Sequence, residues 1–194
     1  MRRVAITGGI ACGKSRVGEF LVAWGTPVCE ADSVAHRAMR PSGPAYAAVV
    51  EKFGNGILGA SGEIDRAKLG ELVFTDPAAR AALNAAVHPH VLRDVRRWLG
   101  AQRAPAAAAI IPLFYEVGED RNWDTVVCVA APAAAQIARL RERGLTEAQA
   151  RARIAAQMPV IEKMTRADFV VWNGGSLDVL EEQTRRVWRR IRET

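Results

Sequence analysis

Eight consecutive residues near the amino terminus, Gly8-Gly9-Ile10-Ala11-Cys12-Gly13-Lys14-Ser15, satisfy the spacing G-x-x-x-x-G-K-[ST]. Residues of these types in this order bind phosphate. Glycines let successive backbone N–H groups converge on phosphate oxygens with no side chain in the way. A helix opening at the end of the loop adds unpaired donors and partial positive charge. Lys14 can reach the β and γ phosphates, and the Ser15 hydroxyl suits Mg²⁺. The competing reading, a glycine-rich turn with a chance lysine, loses on context. The string sits between a β-prone run and an amphipathic helix.

A second chemical candidate is Asp32. It follows a second short β-prone run, and in open parallel sheets ligands gather at the carboxyl ends of strands. A carboxylate there can take a proton from an attacking hydroxyl or hold a magnesium water, and it can equally cap the helix Ser33–Arg40. Glu30 nearby can fill either role. Arg139, Arg141 and Arg143 precede a turn, and Arg151 and Arg153 follow it. Basic residues flanking such a turn suit a lid over transferring phosphate, although a solvated basic helix has the same composition. His88 and His90 flank Pro89 without a ligand-spaced partner, so packing at a helix start is preferred to metal binding. Cys12 reads as loop packing rather than as a reactive thiol.

These groups need a scaffold to hold them. Val4–Thr7 reads as a strand, Gly13–Trp24 as a helix with Val17, Phe20, Leu21 and Trp24 on one face, and Thr26–Cys29 as a second strand. Strand, helix and strand at this spacing make a right-handed parallel crossover. The next strand is Ala107–Leu113, and only helical patterns lie between. One runs from Pro44 to Gly54, and one is capped by Asp65. One opens at Asp76-Pro77, and one opens at Pro89 with Val91, Leu92, Val95, Trp98 and Leu99 on a face. Thr125–Val129 and Phe169–Trp172 complete five parallel strands. Helices at Pro132–Arg143 and Thr146–Met158 separate them, the latter with a Thr146/Gln149 capping box.

Composition narrows the class. The 194 residues are 49% apolar and 25% charged, an ordinary globular balance. Three scattered cysteines form neither a disulfide framework nor a zinc ribbon, which suits a reduced, cytoplasmic protein. No apolar run is long enough to span a membrane. The net charge of +6 suits a polyanionic partner. Much of the surplus is Arg185, Arg186, Arg189, Arg190 and Arg192, opposite Leu177, Leu180, Val187 and Ile191 on a terminal helix. A solvated face is therefore preferred to nucleic-acid binding.

Taken along the whole chain, the sequence resembles the dephospho-CoA kinase family. Thr7-Gly8-Gly9-Ile10 with Gly13-Lys14-Ser15, Ala31-Asp32 followed by Ala35-His36, Phe53-Gly54, Asp65-Arg66, Leu69-Gly70, Val73-Phe74 and His88-Pro89 carry the first half. Pro112-Leu113 with Glu116, Gln136 with Arg139-Leu140 and Arg143, Gln157-Met158, Glu162-Lys163, Ala167-Asp168 and Asn173-Gly174 carry the second. The chain departs from the family pattern at Ala11 (usually glycine), Cys12 (serine), Arg16 (threonine), Glu30 (aspartate) and Phe114-Tyr115 (Leu-Phe).

The resemblance implies a phosphate-loop kinase fold, a three-layer α/β/α core over residues 1–32, 104–142 and 159–194. A helical acceptor-binding region would occupy 33–103 and a lid 143–158. It implies ATP-dependent phosphorylation of the ribose 3′-hydroxyl of dephospho-CoA, with Mg²⁺ accompanying ATP. Asp32, Lys14, Arg139 and Arg143 would be catalytic. Gly8, Gly9, Ala11, Cys12, Gly13, Lys14, Ser15, Arg16 and Asn173 would hold ATP. Thr7, Asp32, His88, Leu113 and Glu116 would hold the acceptor, and Ser15 and Asp32 the metal, the latter through water. Small molecules would be the only substrates, with no nucleic acid, no membrane, and a monomer or weak homo-oligomer. Two rivals share the phosphate loop: a kinase for another small acceptor such as a nucleoside monophosphate, and a nucleotide-dependent switch. The second is weakened by the lack of an Asn-Lys-x-Asp run.

Overall fold

The computed structural model describes residues 1–118 and 122–193, apart from the side chains of Phe74 and Thr75. The expected core segments extend over residues 119–121 and 194, which, like the Phe74 side chain of the Val73-Phe74 motif, lie outside the described residues. The elements in chain order begin with β1 (Arg2–Gly8), α1 (Lys14–Ala23), β2 (Val28–Glu30), α2 (Ala31–Ala38) and α3 (Tyr46–Phe53). A 3₁₀ turn at Asn55–Ile57 follows, then α4 (Arg66–Thr75), α5 (Pro77–Gly100), β3 (Ala106–Ile110) and β4 (Thr125–Ala130). The last are α6 (Ala133–Glu142), α7 (Glu147–Ala155), α8 (Val160–Arg166), β5 (Phe169–Trp172) and α9 (Leu177–Glu193).

Two compact units result, one of residues 1–29 and 101–194, the other of residues 30–100. The crossings fall slightly earlier than the 33–103 that the resemblance implies, so Glu30 and Asp32 belong to the helical unit.

The first unit is built on a five-stranded sheet ordered β2-β3-β1-β4-β5. β1 pairs in parallel with β3 and β4, and β4 with β5. A parallel sheet covered on both faces needs continuous apolar strands, and Val4, Ala5 and Ile6 are buried to 1% exposure or less. Val4 and Ile6 join Val17 and Leu21 of α1 and Leu180, Trp188 and Ile191 of α9 in one cluster. β3 stops at Ile110, short of the expected Leu113. Pro112 has no N–H to continue a ladder, and the chain turns there, Val117 N–H bonding back to the Leu113 carbonyl.

Two further departures concern helices. α8 was not anticipated, because its seven residues are too few to show a periodic face. On α9 the inward residues are Leu180, Thr184, Trp188 and Ile191, whereas Leu177 is half exposed. The arginines of α9 do form a solvated face, where Arg185 and Arg186 pair one turn back with Glu181 and Glu182.

The second unit is all-helical. Asp65 caps α4 by accepting from Ala67 and Lys68 N–H, and Asp76 caps α5 through Ala78 N–H. α5 corrects the sequence reading: Pro89 does not open a helix but sits inside a 24-residue one. A mid-helix proline forfeits one backbone hydrogen bond and strains the preceding turn. Here Val87, Val91, Val95 and Leu99 form an unbroken buried stripe on both sides of it. α2, α3 and α4 all pack on α5, and that burial outweighs the local cost.

Candidate active site

The phosphate loop joins β1 to α1, as its sequence context requires. Gly8 (φ 140°) closes against β4, where a Cβ would lie 2.0 Å from the Val129 carbonyl oxygen. Gly13 (φ 102°) meets Asn173, where a Cβ would lie 2.2 Å from Nδ2. Ala11, at a position where glycine is usual, has φ 57°. An L-residue in that region costs about 1–2 kcal/mol. Partial compensation is visible: Ala11 is buried in a small cluster with Leu140 of α6 and Ala150 of α7.

Each carbonyl from Gly8 to Cys12 is held by a side chain. Lys14 Nζ donates to the Gly8 and Gly9 carbonyls at 3.0 and 2.8 Å. Gln136 Nε2 donates to Ile10 at 2.7 Å, and Arg139 Nη1 to Ala11 at 3.0 Å. Asn173 Nδ2 donates to Cys12 at 2.9 Å, while the Asn173 carbonyl itself accepts from Arg139 Nη2 at 3.3 Å. Carbonyls held this way cannot turn toward an anion, so the loop keeps its amide edge for phosphate. The sequence resemblance gives Gln136 no role, and points Asn173 and Arg139 to the nucleotide and the transferring phosphate. Their bracing function depends on partners more than 120 residues away for Gln136 and Arg139, which spacing does not reveal.

The remaining residues of the first unit are placed as follows. Ser15 is exposed in the first turn of α1, and Arg16 is exposed and paired with Glu19 at 2.6 Å. Arg143 is exposed at the end of α6, so the two arginines expected to act together have different surroundings. Arg151 is held by Glu147 at 2.7 Å, and the Thr146/Gln149 capping box is present. Thr7, expected among the acceptor contacts, is wholly buried and its hydroxyl donates to the Pro112 carbonyl at 3.3 Å. It therefore fixes the turn after β3. Leu113, in that turn, is partly exposed. Glu116 Oε1 is taken by Lys163 Nζ at 2.7 Å and by Met158 N–H at 3.0 Å. Lys163, on the unanticipated α8, is wholly buried.

In the helical unit Asp32 is exposed in the first turn of α2. It does not cap that helix. Glu30 occupies the capping position, and its side chain makes no capping hydrogen bond. Burial depresses the pKa of His88, partly opposed by the Asp32 carboxylate. Burial likewise depresses that of His36, aided by Arg66 and opposed by Asp32. The two imidazoles thus lean toward the neutral form within the field of one carboxylate. His36, Met39, Arg40, Pro41, Glu63, Ile64 and Arg66 line a groove of about 400 Å³ in this unit.

Cys12 and Cys128 are fully buried, and burial pushes both thiols up, Cys128 to about 12. That agrees with a packing role for Cys12. Among the described residues no cluster of three or more His, Cys, Asp or Glu could cage a metal. A hydroxyl such as Ser15 with few carboxylates suits Mg²⁺ arriving on a nucleotide, because that ion keeps several waters and takes phosphate oxygens. No helix among the described residues is long and apolar enough to cross a membrane.

Known proteins resemble this chain along most of its length. The family model for dephospho-CoA kinase matches residues 2–178. A dephospho-CoA kinase of Anaeromyxobacter dehalogenans is 45% identical over 99% of this chain and 93% of its own. Among solved structures, TT1252 from Thermus thermophilus superposes with a TM-score of 0.82 at 37% identity, covering 97% of both chains. Dephospho-CoA kinase from Campylobacter jejuni gives 0.71 at 27% identity, covering 100% of this chain and 98% of its own.

Proposed function

The chain belongs to the dephospho-CoA kinase family, and from that premise we propose how its own residues divide the work. The reaction is ATP-dependent phosphorylation of dephospho-CoA, the final step of coenzyme A biosynthesis. The bond from the γ-phosphorus to the β-bridging oxygen breaks, and a bond from the ribose 3′-oxygen to that phosphorus forms. ADP leaves, and the hydroxyl proton must go to a base.

The braced loop supports the ATP side of this reading. Gly8 to Ser15 bind the phosphates through backbone donors, with Lys14 supplying charge where the γ-phosphoryl group departs. Asn173 and Arg139 hold the loop in shape from behind. Mg²⁺ bound with ATP would be held by Ser15, with Asp32 reaching it through water, and would neutralise developing phosphate charge. Residues 143–158 form the lid, and Arg143 is the cation it brings to the transferring group.

On the acceptor side Asp32 is the general base. An exposed carboxylate just past β2, with no capping duty, is free to accept the 3′-hydroxyl proton. His88 and Leu113 contact the acceptor. The single observation that carries the division of roles is that every loop carbonyl from Gly8 to Cys12 is held by a side chain. A coupled ADP-release assay across dephospho-CoA, AMP, CMP and adenosine tests it. Efficient turnover confined to dephospho-CoA is expected, and a preference for AMP or CMP would overturn the acceptor assignment.

A further inference from the structure

The mechanism above leaves a wholly buried lysine unused. Lys163 Nζ donates to Glu116 Oε1 at 2.7 Å and to the Pro112 carbonyl at 2.8 Å. Both partners lead elsewhere. The Pro112 carbonyl also accepts from Thr7, one residue before the phosphate loop. The Oε1 of Glu116 also accepts from Met158 N–H, and the neighbouring Gln157 side chain accepts from Ile10 N–H, inside the loop, at 2.9 Å. The connections close on themselves. Lys163 joins the turn at 112–116 to the start of the phosphate loop through Thr7 and to the end of segment 143–158 through Met158. Gln157 ties that segment back to the loop.

We propose that Lys163 is a positioning residue for phosphoryl transfer: it closes a hydrogen-bonded ring that sets the end of the lid against the phosphate loop. The proposal rests on the reading of 143–158 as a lid. Stability alone is a poor reason for such a group. Burying the Lys163 ammonium forfeits its hydration, which a partly exposed Glu116 offsets only in part, and apolar replacements at buried ion pairs are often no less stable. What the pair adds is direction. Lys163 holds two acceptors four residues apart at once, and so fixes where the turn, the lid's end and the loop meet. Ile10 N–H is, among the described residues, the loop amide taken by a side chain from the lid. A change at the lid's end therefore reaches the loop through this bond as well as through Thr7, beside the packing of Ala150 on Ala11.

Two breaks at opposite points of the ring test this. Lys163→Met with Glu116→Gln removes both charges together, so the lysine is not left buried without its carboxylate, and keeps an acceptor for Met158. Gln157→Ala removes only the link to Ile10. Each is expected to lower kcat about tenfold or more, within the ~10²-fold a small misplacement can cost, with both KM values changed less than about threefold. Because one ring is broken twice, the combined variant should fall no further than the worse single break. Multiplicative losses would mean independent packing defects and would overturn the proposal, as would a kcat within twofold of the parent in folded protein. Hydrogen exchange of 143–158, with a non-hydrolysable ATP analogue plus dephospho-CoA, separates the two ideas. A parent segment that gains no protection defeats the lid reading alone, and the kinetic comparison still decides the ring. A parent segment that gains protection, retained in full by both variants, defeats the ring.

Discussion

The Arg139 guanidinium donates to the carbonyl of Ala11 at 3.0 Å, and Ala11 is the loop residue that holds a left-handed backbone without being glycine. The arginine thus braces the strained point of the loop, and its second nitrogen reaches the Asn173 carbonyl. Arg139→Ala leaves both acceptors without that donor, a loss of about 1–3 kcal/mol for buried groups. Exposed Arg143 has no such duty. The two alanine variants should therefore differ: Arg139→Ala lowers both melting temperature and kcat, while Arg143→Ala lowers kcat alone. Paired thermal melts and steady-state kinetics check this, and equal melting losses would contradict it.

Lys14 bridges the Gly8 and Gly9 carbonyls from a partly exposed position, so its contribution to packing is small. Lys14→Ala should remove most activity while circular dichroism stays that of a folded protein, with a melting loss no larger than that of Arg139→Ala, since two carbonyls again lose a donor. Near-normal turnover in a folded Lys14→Ala protein would exclude the loop as the ATP site.

Legibility in the sequence followed the range of the interaction. The phosphate loop, the Asp65 and Asp76 caps and the Thr146/Gln149 box are local, each complete within a few residues, and each could be read directly. Pro89 misled because its local preference is to start a helix, whereas the stripe from Val87 to Leu99 that overrides it depends on packing. The bond from Thr7 to the Pro112 carbonyl, 105 residues away, leaves no local sign in the sequence. Lys163 carries no sign in the sequence that it is buried. Its partner Glu116 lies on another segment, and α8 is too short to show a face. The bracing of Ile10 by Gln136 and of Ala11 by Arg139 was hidden for the same reason.

The histidines of the helical unit give a pH dependence whose sign follows from their surroundings. His36 and His88 both have pKa values lowered from 6.5, chiefly by burial. Between the lowered values and 6.5 the unfolded chain binds more protons than the folded one, so stability falls as pH drops through that window. Melting temperature should decline from about pH 7.5 to about pH 5.5, where histidine titrates. The decline should be shallower in His88→Asn. A variant with the parent's slope would show that His88 does not contribute.

Cys12 and Cys128 should resist alkylation in the folded protein. Burial removes access and pushes both thiols up, so the reactive thiolate is scarce near neutral pH. Mass spectrometry after iodoacetamide treatment at about pH 8, close to the unperturbed thiol value, should find them labelled only when denaturant is added. Labelling of Cys12 in native protein would reopen its assignment as a packing group.

Asp32 offers the sharpest test of the chemistry. Its carboxylate is exposed, does not cap α2, and lies in the field shared by His36 and His88. A base for a sugar hydroxyl needs an accessible acceptor oxygen, and an exposed carboxylate supplies one. Asp32→Asn keeps the shape and removes the charge. General-base catalysis is typically worth about 10²–10⁴-fold, so kcat should fall by that order while KM for ATP changes little. Because no helix-capping bond is lost, melting temperature should stay within a few degrees of the parent, as surface changes of about ±0.5 kcal/mol imply. The loss of the carboxylate should also raise the proton cost at His36 and His88, since Asp32 opposes their depression, and so deepen the acid-side decline in stability. A variant that turns over normally per folded molecule, or that loses stability before it loses rate, would move Asp32 out of the catalytic set.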